Sequence, residues 1–185
     1  TYAEEYSPNA LFISYQLLSD PHLTVIYKMY GASYIKNNMN LLWNQFPVEA
    51  KASIREYCYN FVQNYEGSLN DGYFLVVVEI LASYVLFQFP EDFPEVGPLF
   101  FTNELQSSPQ QQFIIWKLYE TVIKLLENSK KIAIERVQHL RNLFIDNSET
   151  LLFHVYEAIS QPQSVIDGLS IFNGFLQWSD YNSIS

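Results

Sequence analysis

A chain of 185 residues, 49% of them hydrophobic, carries enough apolar material to bury a core, which excludes a disordered tail. The formal net charge of −10 falls unevenly: residues 1–110 carry four cations (Lys28, Lys36, Lys51, Arg55) against twelve carboxylates, and residues 111–185 carry six against eight. An acidic stretch of this kind repels nucleic-acid phosphates and steers basic protein partners, although it also serves plain solubility.

Ser7-Pro8 reads as a helix start, with serine as N-cap and proline at the first helical position. Residues 8–19 follow, with Leu11, Phe12, Tyr15 and Leu18 at helical spacing. Asp20-Pro21 restarts the chain, and residues 21–43 place Ile26, Met29, Met39 and Leu42 on one face, with Ala32 and Ile35 nearby. After the break at Phe46-Pro47, residues 47–65 turn Ile54, Cys58, Phe61, Val62 and Tyr65 inward and Glu49, Lys51 and Glu56 outward. Asn70-Asp71-Gly72 opens a helix that runs to residue 89. Its Phe74-Leu75-Val76-Val77-Val78 run is β-branched enough for a strand, but Ile80, Leu81, Tyr84 and Val85 extend the apolar pattern past strand length. Phe89-Pro90-Glu91-Asp92-Phe93-Pro94 is a turn by its prolines. A shorter helix is expected over 94–106, ended by Ser107-Ser108-Pro109. Another covers 109–127, with Phe113, Trp116, Val122 and Leu126 among its apolar positions. A long helical stretch over 132–159 bends near Asp146-Asn147. Gln161-Pro162 opens the last helix, which ends near Trp178.

Eight helices joined by short, mostly proline-marked connections make antiparallel neighbours. The second members of successive pairs begin near Pro21, Asn70, Pro109 and Pro162, so each pair takes roughly 40–50 residues, close to the period of two-helix solenoid repeats. The expected fold is all-α: an α-α superhelix, or solenoid, of about four HEAT-like antiparallel helix pairs over residues 1–185. Trp43 and Trp178 each end an apolar stripe and are expected to be packing residues. The chain starts at Thr1 without a signal-peptide pattern, and is expected to be a piece of a longer protein.

Nothing in the sequence has the form of an enzyme site. His22, His139 and His154 are far apart, Cys58 is the only cysteine, and neither HExxH nor paired cysteines occur, so no metal or cofactor is expected. A single cysteine also rules out an internal disulfide and fits a reducing compartment. Gly67, Gly72 and Gly97 are isolated breakers, not a phosphate loop. No apolar run reaches membrane-spanning length: residues 73–89 are interrupted by Glu79, Ser83 and Gln88.

Binding surfaces remain. On the helix ending at Trp43, the side opposite Ile26, Met29 and Met39 carries Tyr34, Asn37 and Asn38, with Lys28. On the next second helix the polar interruptions are Glu79 and Ser83. On the third, Lys117, Glu120 and Lys124 recur at intervals of three and four and share a face. The plainer reading of each is solvated helix surface, and for Asn37 an amide tying its helix to a neighbouring loop.

Three stretches resemble the N-terminal region of the importin-β and exportin (karyopherin) superfamily. Tyr34-Ile35-Lys36-Asn37-Asn38-Met39 with Trp43, then Phe46-Pro47, Lys51, Ile54 and Arg55, is similar to the family's apolar-Lys-Asn helix ending in Trp and the helix after it. Phe89-Pro90-Glu91-Asp92-Phe93-Pro94-Glu95 is similar to the family's turn before the third repeat, with Phe93 where Trp is common. Phe175-Leu176-Gln177-Trp178 with Ile184 is similar to an exportin helix end, and Pro98-Leu99-Phe100-Phe101 leans towards the tRNA-exporting branch. The resemblance implies the N-terminal segment of a nuclear export receptor that shuttles between nucleus and cytoplasm. Its implied partners are the small GTPase Ran in its GTP form, nucleoporins, and an export cargo of tRNA or protein, with no membrane. It implies that this region grips Ran, which makes Tyr34, Asn37, Asn38, Glu79, Lys117 and Glu120 on these helical faces the candidate Ran-binding residues. An importin of the same superfamily, or a HEAT-repeat scaffold unrelated to transport, are the alternatives.

Overall fold

The structure, a computed structural model, describes residues 8–68, 71–102, 108–128 and 132–182. Among these residues are nine α-helices and no strand: α1 (Pro8–Ser19), α2 (Val25–Leu42), α3 (Val48–Gln63), α4 (Gly72–Gln88), α5 (Gly97–Phe100), α6 (Pro109–Asn128), α7 (Ile134–Asp146), α8 (Ser148–Ile159) and α9 (Val165–Asn182). The all-α expectation holds even over Val76-Val77-Val78, which lies inside α4. Asp71 favours that outcome locally. Its Oδ1 accepts from the N–H of Tyr73 at 2.7 Å and of Phe74 at 3.1 Å, satisfying two donors that a helix start leaves open. Two compact units, Thr1–Leu81 and Ala82–Ser185, divide inside α4.

In the first unit α1 lies against α2, and the contact requires a residue without a side chain. A Cβ on Gly31 would stand 2.3 Å from the Ser14 carbonyl oxygen. The shared core is Leu11, Leu18, Ala32, Ile35 and Met39. Ile26, expected on that core face, is instead 63% exposed. The reason is helical phase: Ile26 precedes the buried Ile35 by nine residues, about two and a half turns, so the two point to opposite sides. Phe12 of α1 is exposed as well. Helix α3 turns Ile54, Cys58 and Val62 inward. Its Phe61, and Tyr65 just past its end, meet the start of α4, with Phe61 edge-on to Tyr73 at 5.2 Å and Tyr65 stacked on Phe74 at 4.4 Å.

The second unit is built on α6, α8 and α9, with α9 lying against both others. Phe100, Tyr119, Phe144 and Trp178 form its aromatic centre. The buried Tyr119 hydroxyl donates to the Phe100 carbonyl. Arg136 of α7 closes the end of α4: its Nε donates to the Leu86 carbonyl at 2.9 Å, Nη2 to the Phe89 carbonyl, and Nη1 to Glu91 at 2.8 Å. The Phe89-Pro90 peptide is cis.

Two expected elements differ. The helix over 94–106 is a 3₁₀ turn at Pro94–Val96 followed by the four-residue α5, which closes with the Phe101 N–H donating to the Gly97 carbonyl at 2.9 Å; its remainder over 103–106 lies outside the described residues. The stretch over 132–159 is two helices, parted at Asn147, whose side-chain amide donates to the Leu143 carbonyl at 2.8 Å, beside its own backbone N–H.

Candidate functional site

Helices α2 and α4 meet at two points that fix their direction. Met29 lies against Gly72, where an added Cβ would be 3.2 Å from Met29 Cε, and Lys36 Nζ bonds Glu79 Oε2 at 3.1 Å. Lys36 lies seven residues after Met29, and Glu79 seven after Gly72, so both helices advance ~10 Å together. They run side by side in the same direction, as the second helices of stacked antiparallel pairs do. Of the expected contact residues, Asn37 is exposed, and Tyr34, Asn38 and Glu79 are half-buried. The Asn38 amide donates back to the Tyr34 carbonyl at 2.8 Å. Glu79 is held to α2 by Lys36, the residue before Asn37. Sequence reasoning missed Ile26 and Tyr30, which share the exposed side of α2 with Asn37 and are 63% and 68% exposed. A strict count from Ile35 at 3.6 residues per turn finds both.

The parallel arrangement recurs in the second unit. Lys117 of α6 bonds Asp167 of α9 at 3.1 Å, and further along Ile123 closes on Gly174. Here one carboxylate is enclosed. Glu120, expected on an open helical face, is 3% exposed and takes Lys117 on Oε2 and Lys124 on Oε1, each at 2.6 Å. Burial alone would push the Glu120 carboxyl up, but the bonds from the two lysines outweigh it and hold it below the ordinary carboxylate range. Burial pushes the Asp167 carboxyl up, with its Lys117 bond only partly compensating. Lys117 and Glu120 thus hold α6 to α9 and offer little free surface.

Cys58 and His154 are internal, whereas His22 and His139 are exposed. Burial pushes the Cys58 thiol far up, which makes it inert as a nucleophile. His154 is wholly buried, with Nε2 2.9 Å from the Thr102 carbonyl and Nδ1 3.3 Å from the Gln112 amide. A carbonyl only accepts, so Nε2 carries the proton and Nδ1 accepts from Gln112. Burial lowers the histidine's pKa and the Thr102 bond opposes that, leaving it below the usual value. Trp178 is buried, as expected, but Trp43 is only half-buried, with Lys51 Nζ 4.6 Å above its ring. Among the described residues no cluster of His, Cys, Asp and Glu is placed to hold a metal ion, and no helix is long and apolar enough to cross a membrane.

The α2 face and its α1 and α3 neighbours fall in one stretch that is similar to a known family. Residues 2–64 match the importin-beta N-terminal domain. The match spans α1 to α3 and contains Tyr34, Asn37 and Asn38, with the whole Tyr34 to Arg55 motif; the motifs at 89–95 and 175–184 lie beyond it. It supports the importin-β (karyopherin) superfamily and a nuclear transport receptor, without separating export from import. A search of curated proteins found no match to the chain.

Proposed function

We propose that this chain is the N-terminal, RanGTP-gripping segment of a nuclear export receptor. The observation that carries the reading is the importin-beta N-terminal match over the stretch that contains the exposed side of α2. The contact face is that side of α2 with the neighbouring start of α4, including Tyr34, Asn37, Asn38 and Glu79. Lys117 and Glu120 are left out of that face, because they are taken up between α6 and α9. The acidic balance of residues 1–110 suits a basic partner and acts mainly on the rate of association. Cargo, tRNA or protein, and nucleoporins are assigned to other surfaces of a receptor that shuttles between nucleus and cytoplasm.

Calorimetry of the intact protein with GTP-loaded and GDP-loaded Ran tests the reading. A marked preference for the GTP form is expected, weakened by Asn37→Lys and Glu79→Lys with helicity unchanged. Equal binding of the two forms leaves a scaffold as the better reading. Cargo bound together with RanGTP marks an exportin, and cargo released by it an importin.

A further inference from the structure

The first two turns of α2 expose a run of apolar side chains. Val25 is 52% exposed, Ile26 63%, Tyr27 53% and Tyr30 68%. Such a concentration on one short stretch marks an interaction surface more often than a solvated one. Ile26, Met29 and Tyr30 form one wall of a cavity of about 410 Å³, and Asp71, Gly72 and Tyr73 at the start of α4 form the other.

Gly72 keeps that cavity open. Its φ lies outside the left-handed region, so its conformation does not require glycine. A Cβ would already press on Met29, and a larger side chain would fill the space from the α4 side. Tyr73 makes a firm floor: its hydroxyl lies 2.8 Å from that of Tyr57, and its ring stands edge-on to Phe61. A preformed floor lowers the ordering cost of binding. At the rim, Asp71 is exposed and brings a carboxylate whose Oδ1 caps α4. Seven residues along each helix, the Lys36–Glu79 bridge ties the groove across, beside Asn37. The groove is therefore apolar with an acidic rim at one end and polar at the other.

We propose that the cavity between the first turns of α2 and α4 is an anchor pocket for one bulky apolar side chain of the partner, aromatic or branched aliphatic, presented beside a lysine or arginine that meets Asp71. This rests on the reading of the α2–α4 face as the contact face for the GTP-bound GTPase. An anchor residue in a desolvated pocket, ringed by weaker polar contacts, is how most interfaces concentrate their binding energy.

The test titrates GTP-loaded Ran onto the intact protein in wild-type, Gly72→Leu, Ile26→Asp and Asp71→Asn forms, with circular dichroism of each. Gly72→Leu plugs the pocket, and Ile26→Asp charges its wall at an exposed position that folding tolerates. Each is expected to weaken binding by about tenfold or more with unchanged helicity. Asp71→Asn keeps a cap oxygen and removes the charge, so it slows association and flattens the salt dependence. If Gly72→Leu and Ile26→Asp bind like the wild type, and the wild type still prefers the GTP form, the pocket is overturned and the contact face stands. If the wild type treats GTP and GDP forms alike, the contact-face reading fails and the pocket assignment falls with it.

Discussion

The two units use the same device in opposite settings. In each, a lysine on one second helix reaches a carboxylate on the next: Lys36 to Glu79 between α2 and α4, and Lys117 to Asp167 between α6 and α9. The first bridge stays in water, its side chains 31% and 41% exposed, beside an open apolar groove. The second is drawn into a cluster with Glu120, whose side chain is 4% exposed, and Lys124. One arrangement leaves a surface available to a partner, whereas the other uses its charges to join helices. What separates them is how deeply the carboxylates are covered, because burial turns a weak surface pair into one whose loss leaves poorly solvated charge.

The tryptophans probe this contrast with the largest expected effect. Trp178→Ala should cost ~3–5 kcal/mol in urea titrations, since the ring is fully buried against Phe144. Trp43→Ala should cost less, ~2 kcal/mol, because part of its side chain stays in water. Equal costs would remove the distinction between enclosed and open settings.

Next come the carboxylates. Glu120→Ala should destabilise by ~1–3 kcal/mol, as two charge-assisted bonds are lost while Lys117 keeps Asp167 and Lys124 turns to solvent. Glu79→Ala should change stability by no more than ~1 kcal/mol, and Lys36→Ala likewise. Both are expected to disturb partner binding more than melting temperature. A large stability loss at Glu79 would mean that the α2–α4 face is structural.

The smallest effect is a pH dependence carried by His154 in the second unit. His154 is held neutral, with its folded pKa below the unfolded value of about 6.5. Its stabilisation is therefore complete above that pH and is lost as pH falls towards the folded value, by at most about 1.4 kcal/mol per pH unit. Glu120, with a lowered folded pKa, adds a loss at lower pH, as the medium passes below its unfolded value of about 4.3. Asp167, shifted upward, works against that loss. Thermal melts from pH 7.5 to 5 should show the histidine slope, and His154→Gln should flatten it. An unchanged slope in the variant would assign the dependence to other groups.

Much of the helical layout was legible in the sequence because its signals are local. Pro8, Phe46-Pro47 and Pro109 stand within a residue or so of helix starts, the Ser7 cap lying outside the described residues, and apolar periodicity carries α3, α4 and α6 through their full lengths. The expectation overran at α5, which stops at Phe100, and the bend expected near Asp146-Asn147 is a full break between α7 and α8. The candidate site was legible in part. Tyr34, Asn37, Asn38 and Glu79 are polar interruptions that any helical count picks out, and the Tyr34 to Arg55 motif carried the family resemblance that the match over residues 2–64 supports.

By itself, then, the sequence determined an all-α chain, the boundaries of most of its longer helices to within a few residues, and the family its first helices are similar to. These rest on dihedral preference, capping and periodicity, which act over one to four residues. Only the tertiary structure decided that Ile26 and Tyr30 face outward, that Glu120 is enclosed, and that Gly72 leaves a cavity beside Met29. Each of these depends on which surface a second helix covers. That is set by contacts between residues forty or fifty positions apart, as Met29 with Gly72 and Lys117 with Asp167, which local pattern does not encode.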